Sequence, residues 1–265
     1  MIYVNNKEKI DRIKFNNYDN FYVIADFDKT ITSGNSASTW SVMANTNSVN
    51  YDYSKRRDDL FNIYRPIEID VNMSDEEKYP YMDTWWKKHI DLFYEYGLKE
   101  DSIKDAINKK SLVYRKGAKE FLKAMNNYNI PVIIMSAGIG NVIEEFLKSE
   151  NDLYDNIKIV SNFIDFENGI IKGIRGEIIH ALNKRIDVID NSTKEFIKGR
   201  NNILVLGDGI ADLKMIQDED KNHSVTVGFL DEKIDECIDT YNNCFDIVIT
   251  NEGGIDELNN ILKIY

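Results

Sequence analysis

A doubly wound α/β fold, with a mainly parallel sheet and one helical insertion, is predicted by three observations. Short apolar runs recur along the chain and end in small or acidic residues. Runs such as VIIM and ILVL are apolar at consecutive positions, which suits strands covered on both faces by helices. Helical patterns follow several of these runs, and strand–helix repetition reads as an open α/β sheet.

The elements are predicted in order. FYVIADFD (21–28) is the first strand. IPVIIMSAG (130–138) is the second and leads into the helical GNVIEEFLKS. IKIVSNFI (157–164) is the third; NILVLGDG (202–209) is the fourth, followed by the helical ADLKMIQ. SVTVGFL (224–230) precedes the helical EKIDECIDTY, and DIVIT (246–250) closes the sheet. Between Thr32 and Arg115 no strand pattern occurs, and SKRRDDLFNIY, SDEEKYPYMDTWWKKHIDLFYEY and EDSIKDAINKK read as helices. Ser74 and Glu77 form a capping-box pair at the start of the second of these. Pro80 is expected to bend or interrupt that helix, because it lacks an amide donor. About 80 residues is far longer than an ordinary connection, so this segment is read as an inserted cap over the ligand edge of the sheet. Residues 1–31 plus 116–265 are then the core and 32–115 the cap, with Gly34 and Gly117 as candidate hinges.

Composition sets the outer bounds. At about 150 residues per domain, 265 residues allow one large domain or two smaller ones. A hydrophobic share of 43% supports a sizeable core and excludes a disordered or collagen-like chain. Charges of 33 basic and 45 acidic residues give −12 at pH 7, which disfavours binding to nucleic acid or anionic membrane. Cys237 and Cys244 are too few for a disulfide framework, the N-terminus is charged from Lys7 onward, and no long apolar run is present. A cytoplasmic protein is expected, as a monomer or weak homodimer.

The chemistry is expected at strand ends. Asp26 and Asp28 directly follow the first strand, and alternation sets them on one side of the chain. Two carboxylates about 4 Å apart repel by about 4 kcal/mol at an effective dielectric of 20. By itself this D-x-D is as readily a solvated turn. Asp208 and Asp212 follow a second strand, and parallel strands deliver their carboxyl ends to one edge. Four converging carboxylates call for a divalent cation, with Mg²⁺ matched to oxygen ligands. Ser136 and the amides behind it, opening a helix, offer an anion site. Taken alone, Lys184 reads as a surface lysine, and His180 and His223 as structural or exposed.

The order D-x-D-x-T, Ser, Lys, G-D-x-x-x-D resembles the four motifs of the haloacid dehalogenase (HAD) superfamily of aspartate-nucleophile phosphatases. PIEID (66–70), EEKYPYM (76–82), IPVIIMSAGIGNVIEE (130–145), IVSNFIDF (159–166), KGIRGEIIHALNK (172–184) and ILVLGDGIADLKM (203–215) resemble the cytosolic pyrimidine 5′-nucleotidase family, 5′-nucleotidase III type. The resemblance implies a HAD-like, Rossmann-like core with a helical cap, and a Mg²⁺-dependent enzyme that removes the 5′-phosphate from nucleoside monophosphates, pyrimidines preferred. It implies Asp26 as nucleophile and Asp28 as acid/base. Mg²⁺ would lie on Asp26, the Asp28 carbonyl and Asp208. Ser136, the Ala137 amide and Lys184 would hold phosphate, with Thr30 orienting the loop at that phosphate site. Asp212 would stand behind, holding a metal water or Lys184. In the cap, Glu68, Trp86 and His89 would face base or ribose. His89 stands where the family often has Ser, and Gly34 where it often has an aromatic residue that Trp40 would replace. Methylated guanosine monophosphate is a further substrate type in this group. The alternatives are a HAD phosphatase for phosphoserine or a sugar phosphate, and an inert metal-binding interaction protein.

Overall fold

The computed structural model describes residues 1–265 apart from 14, 16, 48–50, 71, 187–188 and 265. Its centre is a seven-stranded sheet ordered β1-β9-β8-β7-β2-β3-β4. The strands are β1 (Ile2–Val4), β2 (Phe21–Ala25), β3 (Val132–Ile139), β4 (Ile157–Asn162), β7 (Asn202–Gly207), β8 (Ser224–Leu230) and β9 (Ile247–Thr250). All neighbouring pairs are parallel except β1 with β9.

The period of two along each strand explains the unbroken apolar runs. Val23 and Ala25 join Val132, Ile134, Leu204 and Leu206 in one core. Tyr22 and Ile24 join Ile133, Met135, Ile203 and Val205 in the other. Each residue is buried on one face or the other, so none needs to be polar. Helices α5 (Ala118–Asn127), α6 (Gly140–Ser149), α8 (Ile234–Cys244) and α9 (Asp256–Leu262) fill connections between strands or close the chain. In α6, Val142, Ile143, Phe146 and Leu147 form one apolar stripe and are all buried.

The segment after β2 is helical. It holds α2 (Tyr51–Glu68), α3 (Asp75–Glu95) and α4 (Glu100–Asn108). The capping box is present: Ser74 accepts from the Glu77 amide (3.3 Å), and Glu77 accepts from the Ser74 amide (2.8 Å). Of the two effects expected of Pro80, interruption does not occur: helix α3 continues through it. The proline sits in the second turn, and the carbonyl of Pro80 itself accepts from the Thr84 hydroxyl (2.7 Å). Leu92 and Phe93 of α3, with Ile103, Ala106 and Ile107 of α4, pack into the same core as the sheet. Tyr64, Met82, Trp85 and Trp86 form a separate cluster that reaches Ala137.

Several elements escape the sequence reading. β1 is a three-residue edge strand, too short to show a period. The third predicted strand is two elements, because β4 ends at Asn162 and Ile164–Glu167 (β5) turns away to pair with Ile170–Ile174 (β6). The six-residue helices α1 (Lys7–Arg12) and α7 (Asn191–Phe196) are also too short to show a pattern.

Candidate active site

The site assembles where β2, β3 and β7 end at one edge. Asp26 follows β2 directly; its amide still bonds the Leu206 carbonyl (2.9 Å), so its position is set by the sheet. Strand geometry stops at Ala25, short of the predicted Asp28. Lys29 adopts the left-handed region (φ 61°), and its amide donates to Thr32 Oγ1 (2.8 Å). The Asp28 carboxylate turns to Thr39, whose amide (2.9 Å) and hydroxyl (2.9 Å) both donate to it.

Asp208 follows β7, and Asp212 lies in the 3₁₀ turn Ile210–Met215. Asp212 accepts from the Gly209 amide (2.9 Å). Gly207 is required here, because a Cβ would run into the Asp212 side chain. Carboxylate oxygens of Asp26, Asp208 and Asp212 lie within 4.8 Å of one another. Three of the four expected carboxylates therefore converge; Asp28 is drawn aside by the two Thr39 donors.

Lys184 enters from the irregular segment after β6 and is buried. Its ammonium bonds Asp26 and also Asp212 (2.6 Å). Burial pushes the Asp26 carboxyl up to about 7; Lys184 opposes this, and the Asp212 and Asp28 charges reinforce it. Burial likewise raises Asp28 to about 6 against the Thr39 bonds. Asp208 is held well above the usual carboxylate range by burial and then by the charges of Asp212 and Asp26. Burial alone would lower Lys184, but Asp212 and Asp26 outweigh it and keep the ammonium charged. Lys184 leaves Asp208 without an ion pair among the described residues. Three carboxylates against one ammonium leave negative charge on hard oxygen donors, a set that fits Mg²⁺.

Ser136 lies inside β3, which runs on to Ile139, and α6 opens only at Gly140. The strand runs one residue beyond the predicted 130–138, and Ser161 and Asn162 of β4 bond the Gly138 carbonyl (2.9 and 3.2 Å) across a register shift. The Ser136 hydroxyl accepts from the Gly138 amide (3.0 Å) and keeps its own O–H free to donate. Thr30 is fully buried, and its hydroxyl makes no hydrogen bond among the described residues.

The aromatic residues meet this edge at Ala137. Its carbonyl accepts from Trp86 Nε1 (2.8 Å), Trp40 Nε1 (3.1 Å) and Asn162 Nδ2 (3.0 Å). Trp40 lies 5.1 Å from the His89 ring and perpendicular to Trp86 at 6.3 Å. Burial lowers His89 to about 4, so it is a neutral imidazole, and its Nδ1 has no partner among the described residues. Trp85 stacks on Tyr64 (5.9 Å). Glu68 closes α2 with its carboxylate paired to Arg65, and its carbonyl accepts from Lys78 (3.1 Å).

Sequence reasoning missed Thr39, Asn162 and Tyr241, whose hydroxyl donates to the Asp208 carbonyl (2.6 Å). Thr39 sits in the aperiodic stretch SASTW, and the other two carry no charge or motif spacing. Only proximity in the fold reveals them.

The family model for pyrimidine 5′-nucleotidase (UMPH-1) matches residues 25–265. A curated 7-methylguanosine phosphate-specific 5′-nucleotidase A of Xenopus laevis is 35% identical over 265 residues, covering 97% of this chain and 91% of the relative. A solved structure of cytosolic 5′-nucleotidase IIIB (cN-IIIB) bound to cytidine superposes with a TM-score of 0.86 at 28% identity, over 97% of this chain and 89% of that one. An apo phosphoserine phosphatase shares the fold at TM-score 0.56 and 18% identity, over 92% of this chain and 98% of that one.

Proposed function

Because the chain belongs to the pyrimidine 5′-nucleotidase (UMPH-1) family, a HAD-fold family of phosphomonoester hydrolases, we propose that this edge hydrolyses nucleoside 5′-monophosphates through Asp26. The observation that carries the reading is the approach of the Asp26, Asp208 and Asp212 oxygens within 4.8 Å, with Lys184 bonded to the first and last. Asp26 attacks phosphorus and forms an aspartyl-phosphate. Asp28, a carboxyl raised to about 6, donates its proton to the leaving ribose oxygen and then takes one from the attacking water. Mg²⁺ held by Asp26, the Asp28 carbonyl and Asp208 would keep Asp26 ionised and offset phosphoryl charge. Ser136, the Ala137 amide and Lys184 hold the phosphate oxygens, and Asp212 steadies Lys184. Thr30, fully buried, supports the loop from within.

The 32–115 segment is the cap in this reading, with Trp86, Trp40, His89 and Glu68 on the base side. A nucleobase between aromatic faces gains about 1–3 kcal/mol per stacking contact. The relatives named for 7-methylguanosine phosphate, together with two tryptophans beside Ala137, favour a methylated guanosine as one accepted base. A cationic base is attracted to indole faces, best of all aromatic rings. We place the reaction in the cytosol: both cysteines are free, and no described helix is long and apolar enough to cross a membrane.

The test is a kinetic panel of nucleoside 5′-monophosphates, 7-methylguanosine monophosphate and phosphoserine, with Mg²⁺ and with chelator. A nucleotide should be the best substrate, and activity should vanish with chelator. Phosphoserine hydrolysed far better than any nucleotide would sink the reading.

A further inference from the structure

Arg115 stands where the helical segment returns to the core. Its side chain is fully buried, the largest such side chain among the described residues. Every contact of its guanidinium is specific. Nε donates to the Thr30 carbonyl (3.0 Å), Nη2 to the Lys29 carbonyl and Nη1 to the Gly253 carbonyl (3.0 Å). Nη2 also pairs with Asp231 (2.7 Å), and the plane lies 4.2 Å from the Phe229 ring. The second Asp231 oxygen accepts from the Glu252 amide (2.8 Å). Glu252 in turn accepts from the Gly34 amide (3.1 Å), where a Cβ would strike both acids. The Lys29 ammonium is tied to Glu232 (2.7 Å), the neighbour of Asp231.

A buried guanidinium is costly unless its donors are satisfied, and breaking such a pair is worse than never having it. Two consecutive carbonyls gripped by one rigid fork fix the peptide planes of residues 29 and 30. Lys29 is the left-handed residue at which the chain reverses immediately after Asp28, a conformation that an L side chain resists on its own. We infer that Arg115, anchored by Asp231, is a positioning residue that holds this turn and so aims the Asp28 carboxyl at the reacting phosphoester. The inference rests on the acid/base role proposed above for Asp28. An acid/base group must lie within hydrogen-bond reach of its proton partner, and small misplacement is enough to lose rate.

Lysine keeps the charge and the reach to Asp231 but cannot fork across two carbonyls. Arg115→Lys should lower kcat on the best nucleotide by about 10- to 100-fold, with KM changed less than about threefold. Asp231→Asn should lower kcat in the same direction by about fivefold. The decisive measurement is the double variant, assayed on an aryl phosphate whose good leaving group keeps Asp28→Asn measurable. If Arg115 acts through Asp28, Arg115→Lys adds no more than about twofold in the Asp28→Asn background. A purely structural residue would cost the same factor in both backgrounds, and that result overturns the inference. So does kcat within twofold of wild type for both single variants, or a loss confined to KM. If Arg115→Lys does not fold, Asp231→Asn in the two backgrounds decides by the same criterion. Asp28→Asn with wild-type kcat on the nucleotide overturns the acid/base reading and the positioning role together. An inactive Asp28→Asn beside wild-type-like Arg115→Lys and Asp231→Asn overturns the positioning role alone.

Discussion

The acidic sheet edge and the aromatic face of the helical segment touch at Ala137, yet they are held by opposite physics. At the edge, Asp26 and Asp212 share one ammonium while Asp208 has none among the described residues, and burial pushes Asp26 and Asp208 toward protonation. Across the cleft, Trp85, Trp86 and His89 are buried by ring contacts, and the one titratable ring is pushed toward neutrality. The edge gathers more carboxylates than its one ammonium offsets, and a bound cation would relieve it. The aromatic face holds no opposed charges, although His89 Nδ1 and Trp85 Nε1 are buried without partners among the described residues. In the reaction proposed above, chemistry falls to the strand ends and the turn after Asp26, and recognition to the aromatic packing around His89.

The sharpest way to separate the two is Asp26→Asn. Hydrolysis of nucleotides and of an aryl phosphate should both fall by about 10⁴-fold or more, because the nucleophile serves every substrate. Equal rates in variant and wild type would place the chemistry elsewhere. Chelation comes next. Mg²⁺ at 100 times its Kd should stabilise wild type by about 2.7 kcal/mol in thermal unfolding, and Asp208→Asn should abolish that gain. An unchanged melting shift in Asp208→Asn would remove that carboxylate from the ion site.

Trp86→Ala addresses the other region. Loss of one stacking face should raise KM for nucleotides by about 5- to 100-fold and leave the aryl phosphate nearly unaffected. A parallel loss on both substrates would mean that Trp86 supports the Ala137 strand rather than the base.

The smallest effect is in the pH dependence of stability, and its sign differs between the regions. Asp26 at about 7 and Asp28 at about 6 lie above their unfolded value of 3.8. Their contribution in metal-free protein is complete below about pH 4 and is lost as pH rises through 6 to 7. His89 and His180 at about 4 lie below their unfolded value of 6.5. Their contribution is complete above about pH 6.5 and is lost as pH falls through 4. Both windows span about pH 4 to 7 and oppose each other, each group shifting the unfolding free energy by up to about 1.4 kcal/mol per pH unit, so the net dependence in chelator should be shallow. Asp26→Asn should tilt it so that stability rises with pH across this window, and His89→Gln so that stability falls. A tilt of the opposite sense in either variant would show that these groups do not titrate as assigned.

Much of this was legible in the order of residues. Unbroken apolar runs identified the parallel strands because both faces of each are covered, and the carboxylates after two strands pointed to the edge where Asp26, Asp208 and Asp212 meet. Local order also set the capping box of α3 and the amphipathic α6, since their partners are three or four residues apart. What only the tertiary structure decided depends on partners distant in the chain. Thr39 diverts Asp28 from the other carboxylates, and Lys184 chooses Asp26 and Asp212 over Asp208. Asn162 ties down the Ala137 and Gly138 carbonyls behind Ser136, and Arg115 grips carbonyls some 85 residues earlier. A local pattern records which face of an element is apolar. Hydrogen-bond direction and charge pairing across the fold leave no such period, because each is satisfied by a single contact brought into place by folding.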